Sequence, residues 1–342
     1  MAEATRVIVD QLRAADAGPG RRGFGFGVLT SDDFVRLLIL AALIAGFAIV
    51  TRGATIGTEN LANVLIQSSI RGIAACGQAF VVLTVGLDLS VSGIVAVTLM
   101  VGGSLVTTNP QFSLLGVAIS PLLAIPVMLF VGVAFGTANG FLVARLRLPS
   151  LIVTLGVWQI GVGLAYQVTG SGFVDSIPSS IAFIGQGSVL YVPNPVILFF
   201  AIVALSYFVL HRTAFGAEIY AVGGNSRSAF ISGVRVVRVR IIVFAIAGSF
   251  YAIGAVISMS RYMSATMAQT TGLELSTIAA VAIGGVSLSG GKGSIVGVLL
   301  GTLIIGVVDN GLSITGVGPA QQAILKGAII IFAVMLDGFS RR

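Results

Sequence analysis

Apolar stretches of roughly 20 residues follow one another along nearly the whole chain, and they restrict its possible folds more than any other feature. A helix needs about 20 consecutive apolar residues to cross the hydrocarbon core of a bilayer. Hydrophobic residues make up 56% of the 342 and charged residues only 9%, whereas soluble domains contain roughly 25% charged residues. The sequence therefore predicts an all-α fold, a polytopic bundle of membrane helices.

About ten segments fit this description, and short loops and termini make up the rest of the chain. Residues 1–33 are expected to form a polar N-terminal tail, and residues 34–342 the transmembrane domain. We expect transmembrane helices at residues 35–51, 60–85, 90–108, 113–144, 150–169, 194–211, 239–260, 273–289, 294–312 and 320–338.

Basic residues are distributed unevenly between the two sides that these spans define. With the N-terminus in the cytoplasm, most of the 19 lysines and arginines fall on the cytoplasmic side, whereas Arg52 and Arg261 fall outside. Because positively charged loops stay in the cytoplasm, the net charge of +7 indicates an orientation with both termini inside rather than a nucleic-acid partner. The polar tail is then cytoplasmic.

Glycines recur every fourth residue in two of the spans. Gly132, Gly136 and Gly140 share one helix face, and Gly297 and Gly301 share another. Small residues at this spacing let a second backbone approach closely. They indicate helix packing, either ordinary contacts within the bundle, which we favour, or an interface inside the subunit or between two subunits.

Ionisable residues inside the apolar segments are rare, because lipid makes each of them costly unless it faces the bundle interior, water or a partner. Asp309 and Lys326 lie on consecutive predicted spans and are able to pair. For Asp88, a cap at a helix end, assisted by Ser90, is slightly favoured over a role in binding substrate. The full set is Arg71, Asp88, Glu274, Asp309 and Lys326.

Polar groups within the spans suit a path for a neutral, hydroxyl-rich solute, although hydrogen bonds between helices explain each of them equally well. The charged residues do not assemble into the carboxylate relay that a proton-coupled carrier would use. The candidate path residues are Gln78, Asp88, Ser90, Asn139, Gln159 and Asn310.

Motifs for nucleotide binding and catalysis are incomplete. The stretch Gly290–Ser294 resembles part of a phosphate-binding loop, but that loop needs a glycine where Val286 stands and a hydroxyl where Gly293 stands. His211 and Cys76 are the single residues of their types, so neither a metal site nor a Cys/His pair can be built from them. We therefore expect no enzyme activity, metal or cofactor in this chain. If ATP drives the protein, another chain hydrolyses it.

Four separated motifs resemble, in order, the permease subunits of ribose-type ABC importers, from about Asn60 to Asp337. A set of four in the right order is much more specific than any one of them. Val85, Leu87 and Ser92 depart from the family's usual first motif. The matching segments are Gly86–Ser92, Ala138–Gly140 with Leu148–Gly156, Ala221–Asn225 with Ser232–Val234, and Ile283–Ser294.

The resemblance implies a bacterial inner-membrane permease that works as a homodimer. A cytoplasmic ATPase subunit would hold ATP and magnesium. A soluble sugar-binding protein would deliver a monosaccharide, with ribose or another pentose as the default. A self-contained secondary carrier or facilitator for a small polar solute is the alternative, and uptake by this chain without any ATPase would favour it.

The basic loop at residues 212–238 acquires a role from the same resemblance, as the holder of a short coupling helix that sits in a groove of the ATPase. Its local sequence agrees, because Arg227 suits an acidic surface and Phe230 and Ile231 are apolar knobs. The expected coupling residues are Gly223, Gly224, Asn225, Ser226, Arg227, Phe230, Ile231 and Gly233.

Overall fold

The computed structural model describes residues 31–339 and consists mostly of helices. Apolar segments form helices in lipid because each backbone N–H and C=O group then finds its partner within the segment. The polar tail upstream of Ser31 and the last three residues lie outside the described part. The helices are α1 Ser31–Val50, α2 Thr58–Leu83, α3 Val91–Val106, α4 Pro121–Ala144, α5 Ser150–Thr169, α6 Ala182–Gln186, α7 Asn194–Arg212, α8 Ala214–Gly224, α9 Ser226–Ile231, α10 Val236–Tyr262, α11 Leu273–Ile283, α12 Ile295–Ile314 and α13 Pro319–Phe339.

Strands and single 3-10 turns are confined to the connections between helices. One antiparallel pair joins two connections that are far apart in the chain, and the other closes a local hairpin. The pairs are β1 (Phe173–Val174) with β4 (Ala265–Thr266), and β2 (Ser188–Val189) with β3 (Val192–Pro193). The 3-10 turns are Ala54–Ile56, Ser179–Ile181 and Met267–Gln269.

The connections gather at two ends of the bundle. At one end, the Gly291 N–H donates to the Leu83 carbonyl, and at the other, the Met267 N–H donates to the Gly172 carbonyl. We call the first the arginine-rich end, formed by residues 84–90, 145–149, 213–235 and 284–294, and the second the opposite end, formed by residues 107–120, 170–193 and 263–272.

The prediction of a polytopic helical membrane protein is confirmed. Seven helices in the described part are long and apolar enough to cross a membrane, and every predicted span contains a helix. Two helices within the predicted spans are shorter and are not among these seven. Helix α3 has 16 residues and α11 has 11, which at 1.5 Å per residue makes α11 only about 16 Å long.

Several predicted boundaries are wrong. The span 113–144 begins only at Pro121, because the Ser120 side chain caps the helix there and proline is favoured in the first turn. The span 273–289 ends at Ile283, where Gly285 turns the chain with a φ of 73°. Helix α1 begins at Ser31, within the region predicted as tail.

Helix α10 is central to the bundle and packs against α2, α3 and α4. Gly132, Gly136 and Gly140 make the α4 contact possible. A Cβ at Gly136 would overlap the Phe244 carbonyl oxygen, and one at Gly140 would lie 2.7 Å from the Cα of Ile241. These glycines therefore bring two backbones together within one subunit.

The second glycine pair has the same role between α11 and α12. A Cβ at Gly297 would overlap the Gly284 carbonyl oxygen, and one at Gly301 would overlap that of Ala280. The short helix α11 is thus held directly against the backbone of α12.

Candidate functional site

Helix α9 is a short, exposed helix at the arginine-rich end. Asn225 precedes it, and its Oδ1 accepts 3.0 Å hydrogen bonds from two N–H groups of the first turn, including that of Arg227. Gly233 turns the chain after the helix with a φ of 89°. Phe230 and Ile231 are 70% and 77% exposed, so the helix carries an apolar pair and an arginine on its exposed surface.

Helix α8 joins α9 to the bundle through main-chain contacts. A Cβ at Gly223 would overlap both the Leu83 carbonyl oxygen at the end of α2 and the Gly291 nitrogen. The Gly291 N–H itself donates to the Leu83 carbonyl at 3.0 Å. Only glycine fits at position 223, and three chain segments meet there.

Tyr220 adds a side-chain link between the same segments. Its hydroxyl donates to the Gly293 carbonyl at 2.9 Å. Burial raises the pKa of Tyr220 to about 12, because a phenolate would lose its hydration. The phenol therefore keeps its proton, and this hydrogen bond, throughout the physiological pH range.

A buried polar cluster occupies the turn between α2 and α3. Asn139 Nδ2 donates to Ser90 Oγ at 2.8 Å, and the Ser90 N–H donates to Asp88 Oδ1 at 2.9 Å. The Tyr251 hydroxyl lies 3.0 Å from Gln78 Oε1 and 3.1 Å from Asp88 Oδ2. All five side chains are fully buried. The cluster therefore ties α2, α4 and α10 to this turn.

Four of the six candidate path residues thus lie in one enclosed cluster, together with Tyr251. The other two lie elsewhere. Gln159 is exposed on α5. Asn310 exchanges two amide hydrogen bonds, of 2.9 and 2.8 Å, with Asn60. The Asp88 carboxylate accepts a hydrogen bond from the Ser90 N–H in the turn between α2 and α3. A cap would lie in such a turn, but no side chain caps the first turn of α3.

A polar cavity of about 700 Å³ opens at the opposite end of the bundle. Its wall combines apolar surface with amide and hydroxyl groups, each of which can either donate or accept a hydrogen bond, and with the cations of Arg71 and Lys326. Gln67 makes no hydrogen bond to another described residue, so its amide is available to a solute. The principal polar lining residues are Gln67, Gln269, Gln322, Tyr262, Ser258 and Ser276.

A three-residue ion cluster forms part of the wall of this cavity, which Arg71 and Lys326 line. The Asp309 carboxylate, 5% exposed, contacts the Arg71 guanidinium and lies 3.0 Å from Lys326 Nζ. The predicted pairing of Asp309 with Lys326 is confirmed, and Arg71 joins it from α2. The cluster connects α2, α12 and α13.

Comparison with known proteins places this architecture in a family. Residues 60–334 match the family described as the permease component of the branched-chain amino acid transport system. The chain is 36% identical over 324 residues to the ribose import permease of Escherichia coli, which corresponds to 93% of this chain and 97% of that protein. The chain belongs to the ribose-type import permease family. This permease is accordingly a multi-pass protein of the bacterial inner membrane.

Other relatives of the permease are named for different sugars. The galactose/methyl galactoside import permease of Escherichia coli is 37% identical over 318 residues, 89% of this chain and 92% of that protein. The fructose import permease of Rhizobium meliloti is 34% identical over 324 residues, 92% of this chain and 87% of that protein. No solved structure gives a significant match to the permease.

Some residues of the permease's site carry no sequence signal. Arg240 looks like ordinary charge bias near a span end, yet it is half-buried in a cleft beside α9. Gln67 and Gln269 look like scattered polar residues, and only the fold brings them into one cavity. Tyr251 sits in the middle of an apolar span, where an aromatic residue usually indicates packing.

Proposed function

We propose that this permease is the membrane subunit of an ATP-driven importer of a monosaccharide. The observation that carries the proposal is the match over nine-tenths of the chain to import permeases named for ribose and fructose. The cavity at the opposite end supports a sugar, because its amide and hydroxyl groups suit the hydroxyls of the ligand while its apolar surface suits the faces of a sugar ring.

In this proposal the permease works as a homodimer with ten spans, and its arginine-rich end faces the cytoplasm. The positive-inside rule supports that orientation, since Arg145, Arg147, Arg227 and Lys292 all lie at this end. A separate ATPase subunit beneath it holds ATP and magnesium, and a soluble sugar-binding protein docks on the opposite end.

Helix α9 is the proposed contact with the ATPase. Its exposed Phe230 and Ile231 provide apolar area, and Arg227 provides charge. Gly223 seats α8 on Leu83 and Gly291, so a movement imposed on α9 displaces the end of α2 and the connection before α12. Those two segments flank the turn that holds Asp88.

Reconstitution of the permease into vesicles tests directly whether ATP drives the transport. Vesicles that contain the permease, its cognate ATPase and the sugar-binding protein should accumulate sugar only when ATP is present on the ATPase side. Uptake of the same size by the permease alone would identify a self-contained carrier and contradict the proposal.

A Phe230→Glu variant should lower ATPase binding and sugar uptake by about tenfold or more, because central aromatic anchors of an interface contribute 2 kcal/mol or more. Phe183→Glu is the matched control for ATPase binding, since Phe183 is 63% exposed at the opposite end, away from α9. Co-purification of the ATPase and uptake in vesicles measure the effect. Unchanged ATPase binding by Phe230→Glu would remove α9 from the interface.

A Gln67→Leu variant should raise the sugar concentration needed for half-maximal uptake by roughly 2- to 10-fold, because one hydrogen bond is worth about 0.5–1.5 kcal/mol. Leucine is close in size, and Gln67 makes no hydrogen bond within the described structure that the change would break. ATPase co-purification should stay normal. Gln159→Leu, on the exposed face of α5 and outside this cavity, is the control, and equal effects of the two changes would rule out this cavity as the sugar's route.

A further inference from the structure

A second cleft, of about 620 Å³, lies at the arginine-rich end beside α9. It is bounded by the end of α4, the start of α10, the turn after α2 and α9 itself. Three arginines line it, Arg147, Arg227 and Arg240, and so do the hydroxyl residues Thr84, Ser150 and Ser226. No acidic residue is among the described residues of its wall.

These arginines have no counter-charge in the described structure. Its ion pairs join Asp33 to Arg36 and Asp309 to Arg71 and Lys326, and none reaches the cleft. Arg240 is half-buried, and its Nε is buried without a hydrogen-bond acceptor among residues 31–339. A buried donor without an acceptor costs free energy, so an acceptor that enters the cleft and bonds Arg240 Nε would be favoured.

Two residues on the wall of the cleft adopt unusual backbone conformations. Val85 and Arg147 have φ angles of 65° and 59°, in the left-handed region where glycine is normally preferred. Strain of this kind persists where the surrounding structure holds it and clusters at functional sites. Arg147 therefore keeps a strained backbone conformation at the position where its charge lines this cleft.

These donors indicate which kind of chemical group the cleft would bind. Guanidinium groups bind carboxylates through paired, charge-assisted hydrogen bonds. The first turn of α10, which contributes Val236 and Val237 to the wall, adds the positive end of a helix dipole. The cleft therefore suits an anionic group, and its volume admits a whole acidic side chain of a partner protein.

We propose that this cleft receives an acidic side chain of the ATPase, in a contact separate from the apolar one made by Phe230. The inference rests on the proposed function, because Arg227 and Phe230 line the cleft and also form the exposed surface of α9. A partner that covers Phe230 also covers the mouth of the cleft. An acidic side chain entering it reaches Thr84 and Gly86, in the turn that also holds Asp88.

The test compares Arg240→Gln with Arg238→Gln, which removes the same charge two positions earlier from an exposed side chain of the same helix. The permease is placed in nanodiscs of phosphatidylcholine, and its affinity for the cognate ATPase is measured over a series of salt concentrations. Arg240→Gln should weaken binding about tenfold or more and flatten the salt dependence. Arg238→Gln should change binding less than twofold.

Arg147→Gln is the second variant, because Arg147 is exposed and its loss does not threaten folding. It should weaken binding in the same direction. Equal binding by Arg240→Gln, Arg147→Gln and Arg238→Gln would overturn the proposal. So would a defect of Arg240→Gln that appears only when phosphatidylglycerol is added, since the occupant would then be a lipid phosphate.

An Ile231→Ser variant separates this inference from the proposed function, because Ile231 is exposed on α9 and is not part of the cleft wall. Loss of ATPase binding by Ile231→Ser together with normal binding by Arg240→Gln leaves α9 as the contact and refutes the carboxylate site alone. Normal binding by both variants refutes the coupling role of α9 itself.

Discussion

Replacing Asp309 by alanine is expected to destabilise the permease by about 1–3 kcal/mol, because the change leaves two partly exposed cations of the bundle without their shared carboxylate. Asp309 contacts Arg71 and lies 3.0 Å from Lys326. Each of the three residues comes from a different helix, so the loss also loosens the contact between α2, α12 and α13. The midpoint of thermal unfolding in detergent measures it.

Glu59→Ala is the control for this prediction. Glu59 is an exposed carboxylate in the first turn of α2, so its removal should cost at most about 1 kcal/mol. Pairing Asp309→Ala with Lys326→Met should recover part of the lost stability, since one uncompensated charge is gone. If the double variant is no more stable than Asp309→Ala, the charge argument is wrong.

Replacing Gly136 by alanine is expected to destabilise the permease by about 1–3 kcal/mol or more, because the added methyl group meets a backbone that cannot move aside. Its Cβ would overlap the carbonyl oxygen of Phe244. Helices α4 and α10 would have to separate, and this separation would also pull Asn139 away from Ser90. Unfolding midpoints and uptake should fall together.

Gly156→Ala is the control, and we expect it to leave the stability of the permease unchanged or to raise it slightly. A Cβ at Gly156 of α5 meets no atom within 4 Å, and alanine favours a helix over glycine by about 0.5–1 kcal/mol. This variant should therefore be as stable as the parent or slightly more so. A similar loss of stability in both variants would show that glycine matters for helix flexibility and not for close contact.

Much of the fold follows from hydropathy, because a bilayer accepts few alternatives to an apolar helix. The spans from Thr58 to Leu83 and from Ser150 to Thr169 agree closely with the segments predicted at 60–85 and 150–169. The short helix α11 could not be predicted. Residues 284–289 are small or apolar, as at the end of a membrane helix, and only the structure shows that the chain turns at Gly285 while Gly284 contacts the backbone of Gly297.

The candidate site was less predictable, because sequence does not say which polar group faces a path and which faces another helix. Gln78, Asp88 and Asn139 are residues that a lining would use, yet they are enclosed in the bundle and hydrogen-bonded to Tyr251 or Ser90. Gln78 Nε2 and Asn139 Oδ1 are buried without a partner among the described residues. Gln67 resembles them in sequence but lies on a cavity wall. Pairs far apart in the chain, such as Arg71 with Asp309, depend wholly on the fold.

The contact of α8 with Leu83 and Gly291 has a mechanical consequence. Side chains absorb a small displacement by changing rotamer, but main-chain atoms in direct contact have no such freedom. Because Gly223 has no side chain, its contacts with Leu83 and Gly291 are between main-chain atoms. The linkage between α9 and the membrane helices is therefore stiff. In the proposed importer this stiffness favours tight stoichiometry, with few ATP molecules hydrolysed in cycles that move no sugar.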